Sequence, residues 1–120
     1  MKVLIADDDR VVSHLLSARL RARGWEASIA QDAMQTVMFA MRTIPDAIVL
    51  DINMPGGTGL DALVKLKMST KTMLIPVIVA SGTTDPEIAA RVQALGAAAF
   101  VPKPIDIDAL ILIIEQAVKG

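Results

Sequence analysis

Five short apolar runs alternate with five segments of helical periodicity along this chain of 120 residues. The apolar runs cover residues 3–6, 27–30, 47–50, 76–80 and 98–101. Most of them are continuously apolar, which is typical of strands buried on both faces of a sheet. The second run is weaker and predicts an edge strand. Strict strand–helix alternation predicts an α/β fold, a doubly wound five-stranded parallel sheet with helices on both faces.

Start and stop signals bound the helical segments between these strands. Gly24 ends the first helix, and Asp32 with Gln35 predicts a capping box for a second helix that runs to about residue 41. A third helix is predicted over residues 59–69. Asp85 followed by proline starts a fourth helix that ends at residue 96, and Asp106 caps a last helix through about residue 119. The first helix has an apolar face predicted from three- and four-residue spacing: Val11, Val12, Leu15, Leu16 and Leu20.

Composition excludes several classes of protein. The chain is 53% hydrophobic and 21% charged, which argues against disorder. A net charge of -1 and an aromatic content of 2% predict no direct nucleic-acid binding. No apolar run approaches the ~20 residues that span a bilayer, so no membrane insertion is predicted. The absence of cysteine excludes thiol chemistry, and we expect one cytoplasmic domain over residues 1–120.

Polar side chains follow four of the five predicted strands. Asp7 and Asp8 end the first, Asp51 the third, Ser81 the fourth and Lys103 the fifth. Strand ends that lead into helices share one edge of a parallel sheet. Clustered carboxylates repel one another unless a cation neutralises them, and oxygen ligands of this kind suit Mg²⁺ or Mn²⁺. A hydroxyl and an ammonium beside them suit a phosphoryl group that Asp51 could attack.

Each of these residues also has a plainer interpretation. The Asp7–Asp9 run could cap a helix, Ser81 could be a turn residue, and Lys103 could be a solvated surface charge. The joint occurrence of such residues at four strand ends of one sheet favours the functional interpretation.

With these residues in place, the sequence resembles the receiver domains of two-component response regulators over essentially the whole chain. The resemblance implies a (βα)5 flavodoxin-like fold with strand order 2-1-3-4-5. The residues that carry it form a specific signature only together: Ala6-Asp7-Asp8-Asp9, Leu50-Asp51-Ile52-Asn53-Met54-Pro55 with Gly59, Val79-Ala80-Ser81-Gly82, Gly96-Ala97 and Lys103-Pro104.

The resemblance implies a phosphoacceptor site with a magnesium ion. Asp51 would accept the phosphoryl group and also contact the ion. Asp8 would ligate Mg²⁺ directly and Asp7 mainly through water, while the backbone carbonyl of Asn53 would complete the protein ligands. Asn53 and Thr83 occupy positions where the family tunes the phosphoryl lifetime.

The resemblance also implies a phosphoryl-binding pair and a switch. Ser81 and Lys103 would bind phosphoryl oxygens, and the Lys103–Pro104 bond is a candidate cis peptide. Phe100 matches the switch aromatic, although it lacks the hydroxyl of the more common tyrosine. Pro102 inside the fifth strand is tolerable if that strand is an edge.

The implied function is a phosphorylation-dependent switch, a phosphoprotein of phosphorelay signal transduction rather than a turnover enzyme. A sensor histidine kinase or histidine phosphotransfer protein would supply the phosphoryl group. The surface of the fourth helix, fifth strand and fifth helix would then change for an output domain or protein, with a homodimer through that surface as a further possibility.

Three alternatives differ in class. An aspartate-nucleophile phosphohydrolase would need an acid/base carboxylate where Asn53 stands. A flavin or dinucleotide binder would need a glycine-rich first turn where Asp7 to Asp9 stand. A phosphorylation-independent receiver-like binding module remains open, although the complete acid set argues against it.

Some residues outside this site also invite interpretation. We expect His14 to be a surface residue, Trp25 to pack locally, and Leu112 with Ile113 to be exposed for partner binding. The methionines at helical spacing on the second helix are predicted to fill the core: Met34, Met38 and Met41.

Overall fold

A computed structural model describes residues 1–53, 59–82 and 85–120 of the chain. The strands are β1 (Lys2–Ala6), β2 (Glu26–Ala30), β3 (Ala47–Asp51), β4 (Val77–Ser81) and β5 (Ala99–Pro102). The helices are α1 (Arg10–Ala22), α2 (Ala33–Thr43), α3 (Gly59–Met68), α4 (Pro86–Ala94) and α5 (Ile107–Lys119). The alternation predicted from the apolar runs is confirmed, with boundaries that differ by one or two residues.

All strand pairs are parallel, and the sheet order is β2-β1-β3-β4-β5. The predicted fold class and strand order are therefore confirmed. β2 lies at one edge, as its weak apolar pattern predicts. β5 lies at the other edge, where Pro102 pairs with Ser81 of β4. Proline has no backbone N–H to donate, and an edge strand tolerates this because it has a neighbouring strand on one side only.

Two apolar layers enclose the sheet. The central strands β3 and β4 are buried along their whole length. One layer, called the α2–α4 layer, includes Ala40 of α2, Leu63 of α3 and Val92 of α4. The opposite layer contains the first and last helices and is called the α1–α5 layer; it includes Leu20 of α1 and Leu110 of α5. Within the described part of the chain, no helix has both the length and the apolar composition that a membrane crossing requires.

Helix caps follow the sequence signals. Asp32 accepts the Gln35 N–H at 2.7 Å, and the Gln35 side chain in turn accepts the Gln31 N–H. The Asp85 side chain accepts the Glu87 N–H at the start of α4, and the Asp106 side chain accepts the Ala109 N–H at the start of α5. These contacts satisfy amide groups that a helix start leaves unpaired, so the predicted helix starts are confirmed.

The apolar face predicted for α1 is wrong in part. Val11 is 77% exposed and Leu15 is 55% exposed, whereas Ser13 and Ser17 are buried. The buried stripe repeats at three- and four-residue intervals through the serines and Leu16, so the helix is rotated relative to the predicted face. Small serines allow the helix to approach the sheet closely, and hydrophobic periodicity alone does not detect them.

The prediction that the α2 methionines fill the core is also wrong. Met34, Met38 and Met41 are all exposed. The buried positions of the helix are Ala33, Thr36 and Ala40, which have smaller side chains. A helix packed on a sheet through small residues leaves its larger apolar residues at the flank or on the outer face.

The last helix matches its prediction at one of two positions. Leu112 is 61% exposed as expected, but Ile113 is partly buried against the α1–α5 layer. Ile113 lies three residues after the buried Leu110 and beside the buried Ile114, so it borders the core stripe.

The two aromatic-ring predictions outside the site agree with the structure. His14 is exposed on α1. Trp25 packs locally against the α1–α5 layer, with the Arg23 guanidinium 5.3 Å from its ring centre. Neither residue lies among the groups gathered at the strand ends.

Candidate phosphoacceptor site

The carboxyl ends of four strands bring the predicted polar residues to one edge of the sheet. Asp7 directly follows β1, Asp51 is the last residue of β3, and Ser81 is the last residue of β4. Lys103 directly follows β5, and its backbone N–H donates to the Ser81 carbonyl at 2.9 Å. Because β3 pairs with β4 through Asp51 and Ala80, Ser81 lies one residue beyond the level of Asp51.

The three aspartates after β1 have different environments. Asp9 caps α1, since its side chain accepts the N–H groups of Val11 and Val12. Asp7 is buried and accepts the Asp9 N–H at 2.9 Å, whereas Asp8 is exposed. The capping interpretation therefore applies to Asp9 and leaves Asp7 and Asp8 for the site.

One oxygen each from Asp7, Asp8 and Asp51 lies within 4.8 Å of the other two. All three donors are carboxylates, and two of the residues are buried. Such an all-oxygen set with one solvent-exposed member matches the ligand preference of Mg²⁺, which keeps several waters. The residues present therefore fit the predicted ion.

Lys103 lies between two of these carboxylates. Its Nζ donates to Asp7 Oδ2 at 2.9 Å and lies 3.3 Å from Asp51 Oδ2. The Lys103–Pro104 peptide bond is cis, as the sequence suggested it could be. The ammonium thus offsets part of the negative charge that the acidic cluster concentrates at this edge.

At this site, burial and the neighbouring polar groups shift the pKa of Asp51 in opposite directions, and they do the same for Lys103. Burial raises the pKa of Asp51, and this outweighs the Asn53 N–H and the Lys103 charge, which both favour the carboxylate. Burial lowers the pKa of Lys103, but its hydrogen bond to Asp7 and the charges of Asp51 and Asp7 outweigh burial and leave that pKa raised. The site therefore keeps its cation charged and would gain from further positive charge beside Asp51.

The backbone around Asp51 is closely packed. The Asn53 N–H donates to Asp51 Oδ1 at 3.2 Å, and the Gly59 N–H donates to the Ile52 carbonyl at 2.5 Å. A Cβ atom at Gly59 would overlap the backbone carbonyl oxygen of Asp51. The first turn of α3 is thus held directly against the strand end that presents the carboxylate.

Residues assigned to the switch lie on β4 and β5. Ser81 is fully buried. Phe100 pairs with Val79, is half-buried against the α2–α4 layer, and lines a cavity of about 400 Å³ between α4 and β5. Three residues of the predicted motif positions lie outside the described residues: Met54, Pro55 and Thr83.

The direct Asp7–Lys103 ion pair is the feature that sequence reasoning missed. The resemblance assigned Asp7 to the ion and Lys103 to the phosphoryl group, and nothing local in the sequence signals a contact between residues 96 positions apart. The sequence did indicate that both residues follow strands that end at the same edge of the sheet. That rule predicted that Asp7 and Lys103 lie in one site, but it did not predict a direct contact between them.

Comparisons with known proteins agree with this geometry. The response regulator receiver domain family matches residues 3–115. The response regulator PleD of Caulobacter vibrioides is 38% identical over 110 residues, which is 88% of this chain and 23% of PleD. The probable transcriptional regulatory protein TcrX of Mycobacterium tuberculosis is 32% identical over 92% of this chain and 46% of its own length.

A solved structure gives the same result for the fold. The chemotaxis response regulator CheY4 of Vibrio cholerae is 27% identical and superposes with a TM-score of 0.90 over 97% of both chains. This chain spans less than half the length of PleD and TcrX, so those comparisons concern one part of each relative. A family match over nearly the whole chain, with the same fold, shows that the chain belongs to the response regulator receiver domain family.

Proposed function

We propose that Asp51 is the phosphoacceptor of this receiver domain and that Lys103, Ser81 and the acidic cluster support the transfer. Receiver domains of response regulators act as phosphorylation-dependent switches in two-component signalling. The observation that carries the assignment is the position of the Lys103 ammonium, within 3.3 Å of oxygens of both Asp7 and Asp51. A fixed cation beside a buried carboxylate is suited to a transferring phosphoryl group.

The proposed donor is a phosphohistidine of a sensor kinase or histidine phosphotransfer protein. An Asp51 oxygen attacks phosphorus, the phosphorus–nitrogen bond breaks, and the histidine leaves with the electron pair. An acyl phosphate on Asp51 results, and water later cleaves it. Lys103 offsets charge on the phosphoryl oxygens, and the Ser81 hydroxyl donates to one of them.

Asp7, Asp8, Asp51 and the backbone carbonyl of Asn53 are the proposed holders of Mg²⁺, with Mn²⁺ as a substitute. These residues would hold the ion, which would supply positive charge to offset that of the carboxylates and of the incoming phosphoryl group. The fit rests on the three carboxylate oxygens that lie within 4.8 Å of one another. Burial raises the pKa of Asp51, so a cation beside this carboxyl group would favour its ionised form.

The proposed output is a change in the surface of α4, β5 and α5. Phosphorylation draws Ser81 and its loop inward, and Phe100 moves into the space vacated. The cavity of about 400 Å³ beside Phe100 supports such a movement because the ring has space on its α4 side. Exposed Leu112 supports α5 as part of the surface that an output partner or a phosphorylated second copy contacts.

An intact-mass spectrum after incubation with acetyl phosphate and Mg²⁺ tests the assignment of Asp51. We expect one phosphoryl adduct in the wild type, dependent on Mg²⁺ and absent in Asp51→Asn. An adduct in both proteins would identify a different nucleophile. A folded wild type without any adduct would favour the phosphorylation-independent binding module.

Hydrogen exchange of phosphorylated and unphosphorylated protein tests the output surface. We expect phosphorylation to change amide protection in α4 and β5 more than in α1. Leu112→Glu should leave the mass adduct unchanged and weaken any association that phosphorylation induces. Unchanged protection in α4 and β5 at full phosphorylation would contradict the proposed surface while leaving the Asp51 assignment intact.

A further inference from the structure

The Asp7 carboxylate is held by a different donor at each of its two oxygens. Asp7 Oδ1 accepts the Asp9 backbone N–H at 2.9 Å, and Asp7 Oδ2 accepts a hydrogen bond from the Lys103 ammonium at 2.9 Å. Asp7 is only 5% exposed, so water has little access to replace either donor. The orientation of this buried carboxylate therefore depends on one backbone N–H and one charged side chain.

The two donors differ in what phosphotransfer would ask of them. Lys103 Nζ also lies 3.3 Å from Asp51 Oδ2, and it would turn toward a phosphoryl group on Asp51. The Asp9 N–H belongs to the backbone and takes no part in the proposed transfer. Once Lys103 turns away, the Asp9 N–H is the one of these two donors that still holds Asp7.

Asp9 is in turn fixed by the start of α1. Its side chain accepts the Val11 N–H at 3.0 Å and the Val12 N–H at 3.2 Å. Its carbonyl accepts both the backbone N–H and the hydroxyl of Ser13 at 2.9 Å. The direction in which the Asp9 N–H points therefore depends on the cap that its own side chain forms.

The Asp9 carboxylate stands apart from the candidate metal ligands. In the described part of the chain, the grouped carboxylate oxygens within 4.8 Å of one another come from Asp7, Asp8 and Asp51. Asp9 directs its own carboxylate at the amides of α1 instead. We therefore expect its effect on the site to come from hydrogen bonding rather than from its charge.

We propose that Asp9 is a positioning residue of the magnesium site, a role that rests on the proposed function of Asp51 and its neighbours. The cap on α1 holds the Asp9 N–H against Asp7 Oδ1. That hydrogen bond keeps the Asp7 carboxylate directed into the site when Lys103 leaves it. Replacing residues that orient metal ligands typically weakens metal binding 10- to 100-fold, although such residues do not touch the metal.

Calorimetric titration with Mg²⁺, without phosphodonor, tests this role. Asp9→Ala removes the cap and should raise the Kd for Mg²⁺ about tenfold. Asp9→Asn and Asp9→Ser keep an oxygen that can cap the helix but lack the charge, so both should bind Mg²⁺ nearly as tightly as the wild type. Circular dichroism verifies that each variant is folded, and Asp9→Asn still separates cap from charge if Asp9→Ala does not fold.

Asp32→Ala is the matched control for loss of a helix cap. Asp32 caps α2 through the Gln35 N–H, and its carbonyl accepts the backbone N–H and the hydroxyl of Thr36. This arrangement repeats that of Asp9 and Ser13 on α1. Asp32→Ala should lower the melting temperature as Asp9→Ala does, yet leave the Kd for Mg²⁺ unchanged.

A second substitution tests whether Asp9 acts through Asp7. When Asp9→Ala is made in the wild type, Lys103 still holds Asp7 Oδ2. In a Lys103→Met background the same change leaves Asp7 without either donor, so it should raise the Kd by a larger factor than in the wild type. A factor that is equal or smaller would contradict the proposed route through Asp7.

Three further results would overturn the proposal. The first is an unchanged Kd in folded Asp9→Ala. The second is a Kd in Asp9→Asn raised as far as in Asp9→Ala, which would assign the effect to charge. The third is an equal rise in Asp32→Ala, which would assign it to general destabilisation. A wild type that binds no Mg²⁺ would contradict the metal site and the role of Asp9 together, whereas the mass spectrum tests phosphorylation of Asp51 separately.

Discussion

The Lys103 ammonium lies 2.9 Å from Asp7 Oδ2, although β1 and β5 are separated in the sheet by β3 and β4. The lysine side chain therefore crosses the carboxyl edge of the sheet and passes the end of β3, where Asp51 lies 3.3 Å away. This contact joins an edge strand to the centre of the site. It also places a positive charge where three carboxylates would otherwise repel one another.

Removal of this ammonium group should strengthen Mg²⁺ binding but slow phosphotransfer. In Lys103→Met the acidic cluster loses its fixed cation, so Mg²⁺ should bind more tightly in calorimetric titrations. Phosphorylation by acetyl phosphate should slow by about 100-fold, the typical loss when one fixed electrostatic contact to a transition state is removed. The control is Lys119→Met, at the exposed end of α5. Weaker Mg²⁺ binding in Lys103→Met would contradict the competition between the two cations.

Neutralising Asp51 should stabilise the metal-free protein at neutral pH. Because burial raises the pKa of Asp51, the folded state holds this proton over a pH interval in which the unfolded state has lost it. Stability therefore falls as pH rises through that interval, and above it the ionised carboxylate costs folding free energy. Asp51→Asn removes this cost.

Thermal unfolding in EDTA measures this effect. The melting temperature of Asp51→Asn should exceed that of the wild type by a few degrees at neutral pH. The difference should disappear below the ordinary pKa of aspartate, where both states of the wild type are protonated. Glu26→Gln, at an exposed position of β2, serves as the control. A lower melting temperature of Asp51→Asn at neutral pH would contradict the assigned cost of burial.

Two buried serines of α1 should differ in how replacement by alanine affects the free energy of unfolding. Among the described residues, the Ser17 hydroxyl has no hydrogen-bond partner, whereas the Ser13 hydroxyl donates to the Asp9 carbonyl at 2.9 Å. Ser17→Ala should leave the free energy of unfolding unchanged or raise it, and Ser13→Ala should lower it by about 1 kcal/mol. Urea denaturation of the two variants gives the comparison. A larger loss for Ser17→Ala would mean that its hydroxyl is satisfied after all.

Two glycines near the site should differ in their tolerance of a side chain. A Cβ at Gly59 would overlap the Asp51 carbonyl oxygen, whereas a Cβ at Gly82 meets no described atom within 4 Å. Gly59→Ala should therefore lower the free energy of unfolding by about 2 kcal/mol, a typical cost of overpacking, and slow phosphorylation. Gly82→Ala should change stability little. Chemical denaturation and the mass assay measure both, and equal effects would disprove the close-packing argument.

Local patterns in the sequence determined the elements and their order. The apolar runs predicted every strand, and the Asp85–Pro86 pair predicted the start of α4 because capping depends on neighbouring residues only. The rule that parallel strand ends share one edge also predicted that Asp7, Asp51 and Lys103 lie in one site. The strand order itself came from the family resemblance.

The rotation of the helices could not be predicted in the same way. Periodicity assigned Val11 and Met38 to the core, but the structure buries small residues such as Ser17 and Ala40 there. Which face of a helix packs depends on how closely its axis can approach the sheet. The distance between the helix axis and the sheet depends on side chains of the strands, so it cannot be predicted from the sequence of the helix alone.

The sequence by itself therefore determined the fold class, the element order and the set of residues gathered at the proposed phosphoacceptor site. Only the tertiary structure decided that Lys103 pairs with Asp7, that Asp9 caps a helix, and that the α2 methionines are exposed. The physical reason is the separation along the sequence of the residues that interact. Strands, caps and turns depend on residues within a few positions, whereas side-chain partners at the site are chosen by packing between segments far apart in the chain.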